Sequence, residues 1–209
     1  MRYFSYIISF FTHPIWLPIY AAMLVLFYIP ISLPLEEVRF TWLLLLLITV
    51  ALPILVYLLL LVLRKIEQPF SAPPTIQKWL LYGYILMLLG VAFGVTPIDK
   101  YPILYFYLMN LLISCFIIVF MQFFGIQGNV FVMGMAGLTT FTLLLSIWYE
   151  KEMTCPVALF IFLSGAIITA QSYLTQQTMR WLLLSYLAGV LPQLSLLIVF
   201  KNLLFGMGA

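Results

Sequence analysis

Long apolar runs broken at intervals by short polar clusters make up almost the whole chain. Each crossing of a hydrocarbon core about 30 Å thick takes roughly 20 mostly apolar residues, and the runs divide into seven segments of about that length. The first covers residues 4–33 and contains Pro14, Pro18 and Pro30. These prolines remove backbone donors and disfavour an uninterrupted helix, so the pattern predicts a short leading piece over residues 4–12 and then a spanning helix. The second segment, residues 40–63, ends at Arg64-Lys65 and carries Pro53, which a membrane helix tolerates as a kink.

A connection over residues 64–78, with Pro69, Pro73 and Pro74, is the longest non-apolar stretch and reads as a loop. The third and fourth segments, residues 79–95 and 102–124, flank the tight turn Thr96-Pro97-Ile98-Asp99-Lys100 and form a helical hairpin. Gly125-Ile126-Gln127-Gly128-Asn129 leads into the fifth, residues 130–148. A charged connection, residues 149–156, precedes the sixth, residues 157–174. The polar stretch 175–180 precedes the seventh, residues 181–200, which contains Pro192 and Gln193.

Composition excludes a water-soluble fold: of 209 residues, 66% are hydrophobic and 7% charged, against roughly a quarter charged in a soluble domain. The expected architecture is all-α, a single integral membrane domain over residues 1–209 with six or seven spans. The apolar stretch after Arg2 runs past Ile31 without an obvious small-residue cleavage site, so the first segment is expected to stay. Trp16, Trp42, Trp79, Trp148 and Trp181 lie near predicted segment ends, as headgroup-level anchors do.

Nine basic and six acidic residues are scattered singly, which leaves no polybasic stripe for nucleic acid or anionic lipid. A cytoplasmic N-terminus puts Arg2, Arg64, Lys65, Lys78 and Arg180 inside against Arg39, Lys100, Lys151 and Lys201 outside. That difference is too small to orient the chain. Cys115 within an apolar run and Cys155 beside Pro156 do not pair naturally, and no Cys/His spacing points to a metal or other cofactor.

Charge buried in a bilayer is costly and marks functional sites, but Glu36, Glu37, Glu67, Asp99, Glu150 and Glu152 all fall in predicted connections. This argues against a proton relay or a buried ion site. The single histidine, His13 in Thr12-His13-Pro14-Ile15-Trp16-Leu17-Pro18, has two readings. It can serve as a base or headgroup ligand, or it can cap and orient a helix end beside the prolines. Uncharged polar residues are more numerous: Asn110, Gln122, Gln127, Asn129, Gln171, Ser172, Gln176, Gln177 and Gln193. With Gly134, Gly137, Ser164, Gly165 and Thr169 they fit close helix packing with bonds across helices.

Their placement is periodic. The connections 64–78, 125–129 and 175–180 are separated each time by two spans, so all three fall on one membrane face. The run His13-Pro14-Ile15-Trp16-Leu17-Pro18-Ile19-Tyr20, the stretch Gly125-Ile126-Gln127-Gly128-Asn129-Val130, and Thr169-Ala170-Gln171-Ser172-Tyr173-Leu174-Thr175-Gln176-Gln177-Thr178, with Gly189 downstream, resemble a bacterial branch of the type 2 phosphatidic acid phosphatase superfamily of membrane lipid phosphatases. The resemblance extends over nearly the whole chain, mostly as hydropathy.

It implies that phosphate-binding cations, a general-acid histidine and an arginine followed six residues later by a nucleophilic histidine once met on this face. In that alignment Asn129 stands at the general acid, Gln171 at the arginine and Gln177 at the nucleophile. Lys78, with Arg64 or Lys65, is all that is left of the basic element. Glutamine forms no phosphohistidine, and asparagine is a poor proton donor.

The resemblance therefore implies a non-catalytic protein of the bacterial inner membrane. Its partners would be membrane lipids and a lipid phosphate headgroup held in a pocket lined by Lys78, Asn129, Gln171, Gln177, Arg180 and His13, with an oligomer or a membrane-protein partner also open. Two other readings stand beside it. One is an active lipid or isoprenoid phosphatase working through His13 or a divergent site. The other is a small transporter or structural subunit, with the proline-broken first and seventh segments as hinges or pore lining.

Overall fold

The computed structural model describes residues 2–29, 33–63 and 74–198, and these are helical with no strand among them. They contain seven helical stretches long and apolar enough to cross a bilayer: Tyr3–Tyr28, Leu35–Val62, Ile76–Gly94, Pro102–Phe123, Val130–Tyr149, Thr154–Thr175 and Met179–Ile198. The chain is a multi-pass integral membrane protein.

The first crossing joins α1 (Arg2–Phe11) to α2 (Leu17–Tyr28) through a 3-10 turn, Pro14–Trp16. At 1.5 Å per residue α2 alone covers only about 18 Å. The leading piece is therefore half of the crossing rather than a preface to it, which corrects the expectation. The chain pays for this break with side chains. In an α-helix the Pro14 carbonyl would accept from residue 18, but Pro18 has no N–H. Instead it accepts from the Leu17 N–H and from Tyr84 Oη, 2.9 Å away. The Phe11 carbonyl accepts from Tyr20 Oη at 3.0 Å, because the Ile15 N–H turns to His13 Nδ1 at 3.3 Å. Removing the Tyr84 hydroxyl (Tyr84→Phe) is expected to cost about 1 kcal/mol, read as a lower melting temperature in lipid nanodiscs; an unchanged melting temperature would mean that the bend needs no such support.

Helix α1 is inside-out. Ser5, Ile8 and Ser9 are buried, as is Thr12 just past its end, while Tyr3, Phe4, Ile7, Phe10 and Phe11 are exposed. In hydrocarbon this arrangement is favourable, since apolar side chains lose nothing by facing lipid and polar ones need partners inside.

The second crossing comprises α3 (Leu35–Leu46), a π-helical turn over Leu47–Ala51 and α4 (Leu52–Val62). Pro53 cannot donate to the turn before it, and the backbone widens there as such kinks do. Helix α3 begins five residues earlier than expected. Glu36 and Glu37 thus belong to its first turn rather than to a connection, where their charge complements the positive end of the helix. Lys100 pairs with Glu37, and Tyr101 Oη donates to Thr41 Oγ1 at 3.1 Å. The start of α3 and the turn before residue 102 therefore share the face opposite the polar connections.

The other helices are α5 (Pro74–Gly94), α6 (Pro102–Phe123), α7 (Val130–Tyr149), α8 (Thr154–Thr175) and α9 (Met179–Leu194). Lys78 lies on α5 and not in a loop, and Cys155 and Pro156 sit in the first turn of α8. Cys155 is exposed and Cys115 on α6 is buried, both as free thiols. Trp16 sits in the mid-span turn, packed edge-on to Phe10 at 6.0 Å. This removes it from the interfacial anchors, because the turn that looked like a segment end lies inside a crossing. Arg64, Lys65, Glu67 and Lys201 lie outside the described residues.

Helix α7 is the hub. Thr139 Oγ1 lies 2.8 Å from Ser164 Oγ on α8 and also donates to the Phe160 carbonyl at 3.2 Å. On its other side Gly189 of α9 sits against the backbone of Met133 and Gly137. Helices this close need residues without side chains at the contact.

Candidate functional site

The polar connections 125–129 and 175–180 meet at the start of α7. After α6, Gly125 adopts φ +73°, a left-handed conformation that glycine enters without steric cost, and the Ile126 N–H returns to the Met121 carbonyl at 3.0 Å. Gly128 lies so near Ile118 that a Cβ would come within 2.8 Å of its side chain. Asn129 is thereby set, in extended conformation, as the N-cap of α7.

Its side chain is used completely. Oδ1 accepts from the Phe131 N–H at 3.1 Å and the Val132 N–H at 3.2 Å. Nδ2 donates to Gln171 Oε1 and to Gln177 Oε1, each at 3.1 Å. A primary amide offers two donors and two acceptor lone pairs, and all four are engaged. The backbone N–H of Asn129 donates to Ser185 Oγ at 2.8 Å, and that hydroxyl donates to the Trp181 carbonyl at 2.8 Å.

Gln171 is buried in the last turns of α8. Its Nε2 donates to Ser9 Oγ on α1 at 3.2 Å, and its backbone carbonyl accepts from Thr175 Oγ1 at 2.6 Å. Gln176 closes α8 in the left-handed region, φ +51°. That reversal swings Gln177 back onto Asn129. Four helices, α1, α7, α8 and α9, are thus tied by one network of neutral amides and hydroxyls.

His13 lies beside this network. Its ring packs edge-on to Phe131 at 5.1 Å and to Tyr57 at 6.1 Å between centroids. Its Nδ1 faces the Ile15 N–H, so the ring caps the turn that bends the first crossing. The side chains of Lys78 and Arg180 are exposed and take no part in this network. Of the residues picked from sequence, then, Asn129, Gln171 and Gln177 come into direct contact and His13 is their neighbour. Lys78 and Arg180 stand outside the network, and Arg64 and Lys65 lie beyond the described residues.

Sequence reasoning missed Ser9 and Ser185. A serine in an apolar helix can bond the carbonyl four residues earlier or reach another helix, and Ser185 does both; nothing in the local sequence separates the two roles.

Chemically the assembly can hold hydrogen bonds without charge. Amides are neither nucleophiles nor proton donors of useful strength near neutral pH, and among the described residues no group of three His, Cys, Asp or Glu side chains is placed to hold a metal ion. No family model matches the chain, and neither a curated protein nor a solved structure matches it.

Proposed function

We propose that this chain is a non-catalytic protein of a bacterial inner membrane, built on the scaffold of the type 2 phosphatidic acid phosphatases, in which the former reaction centre has become a structural lock. The observation that carries this reading is the pair of bonds from Asn129 Nδ2 to Gln171 and Gln177. The three positions that the resemblance aligns with acid, arginine and nucleophile come from two stretches of chain, the connection before α7 and the end of α8 with the turn after it, yet Asn129 stands within hydrogen-bond distance of both glutamines. Convergence supports the alignment, and full use of the amides by one another supports the loss of catalysis. A neutral imidazole has one donor and one acceptor and could not make the four bonds of Asn129. Lipid phosphate headgroups would meet Arg180 and Lys78 at the surface, outside the lock.

The test is phosphate release by the purified protein in liposomes, offered phosphatidate, phosphatidylglycerophosphate and undecaprenyl pyrophosphate. The expected result is no release. A Gln177→His, Asn129→His, Gln171→Arg variant that gains release, in a preparation shown by its melting curve to be folded, would support the scaffold assignment. Release by the natural protein that survives His13→Ala would overturn the reading, because a nucleophile outside the aligned positions would then be at work.

A further inference from the structure

Away from the amide lock, a second polar cluster lies inside the bundle where α6 meets α9. Tyr107, Asn110 and Gln193 are all buried. Asn110 is about 12 Å along α6 from Pro102 at 1.5 Å per residue, within the depth of the crossing. Gln193 Nε2 donates to the Tyr107 carbonyl at 3.4 Å, and Ser195 Oγ donates to Asn110 Oδ1 at 3.1 Å. Each bond uses one end of an amide. Asn110 Nδ2, Gln193 Oε1 and Tyr107 Oη have no protein partner among the described residues.

Reversing the Gln193 amide would set its oxygen against the Tyr107 carbonyl, and reversing Asn110 only exchanges which of its ends is unmet. The side chains therefore cannot satisfy themselves by flipping. A buried polar atom without a partner costs about 1–3 kcal/mol, and native proteins meet such groups with protein or with internal water.

We propose that this α6–α9 junction is a binding site for a small neutral hydrogen-bonding molecule, water, which accepts from Asn110 Nδ2 and donates to Gln193 Oε1. The two free amide ends are complementary, one donor and one acceptor, on amides that each bond across the same seam, Gln193 to the Tyr107 carbonyl and Asn110 to Ser195. Tyr107 and Asn110 are one turn apart on the same side of α6. No carboxylate or cation belongs to the cluster, so the chemistry selects a neutral guest over an ion.

The experiment uses the full chain in lipid bilayers, labelled with 15N-asparagine; the sequence has three asparagines, Asn110, Asn129 and Asn202. Solid-state NMR then follows polarisation transfer from water to the side-chain amides, with the Asn110 signal assigned by its loss in Asn110→Leu. The site predicts transfer to the Asn110 amide despite its burial, reduced severalfold by Gln193→Leu while the Asn129 signal is unchanged. Absence of transfer to Asn110 in the natural protein, or transfer indifferent to Gln193→Leu, would overturn the site.

Discussion

Gly189→Ala is expected to be among the most damaging single changes in this protein, costing about 3–5 kcal/mol. A Cβ built at Gly189 would lie 2.0 Å from the Met133 carbonyl oxygen, 2.9 Å from its carbon and 3.0 Å from the Gly137 nitrogen. All three are backbone atoms of α7. Relief therefore requires the two helices to part, and with them the seam that carries Asn129 and Ser185. Two other glycines calibrate the result. At Gly134 the nearest atom is Leu17 Cδ1, 2.2 Å away, the tip of a side chain that can rotate, so Gly134→Ala should cost only about 1–2 kcal/mol. Gly165 has nothing within 4 Å, and Gly165→Ala should gain up to about 1 kcal/mol from helix propensity. A thiol-reactive dye can follow unfolding in a Cys155→Ser background, since Cys115 is buried until the bundle opens. Gly189→Ala melting with the natural protein would show that α7 and α9 are not packed this closely.

Asn129→Ala should cost about 2–4 kcal/mol, the second large effect. Loss of a helix cap alone is worth about 1 kcal/mol, and here two N–H groups of α7 lose their acceptor. In addition Gln171 Oε1 and Gln177 Oε1 lose their donor, with Gln171 buried at 4% exposure, and stranded buried acceptors cost about 1–3 kcal/mol each. Asn129→Asp separates the two contributions. It retains the cap but replaces the donating nitrogen with an oxygen facing two amide oxygens, so it should be no more stable than Asn129→Ala. Thermal unfolding in nanodiscs reads both. If Asn129→Asp were as stable as the natural protein, capping alone would account for Asn129 and the bonds to the glutamines would carry no weight.

The seven apolar segments were legible, with six or seven crossings expected from them, because hydropathy responds only to what surrounds a helix, and lipid imposes the same demand on every span. Segment ends were less so. The pattern placed Glu36 and Glu37 in a connection, whereas they open α3 with Glu37 paired to Lys100, a partner 63 residues away. Likewise the prolines at 14 and 18 announced a break, but whether that break ends a crossing or bends one depends on Tyr84, a helix distant in sequence. Trp16 was misplaced for the same reason.

For the candidate site, chain order alone put the stretches around Asn129 and Gln177 on one face, since an even number of crossings separates them. It also singled out Asn129, Gln171 and Gln177 as polar residues beside long apolar runs. That these amides bond one another, that Ser9 and Ser185 complete the network, and that Lys78 and Arg180 stay outside it were decided by tertiary structure. Side chains a few residues from a helix end can turn inward or outward at little local cost, and only the neighbouring helices settle which. The sequence by itself determined the solvent and the seven apolar segments, which follow from the transfer energy of each segment taken alone, and chain order then put alternate connections on one face. Partnership of polar groups inside the bundle belongs to the packed structure, because a hydrogen bond is a property of two positions and not of one.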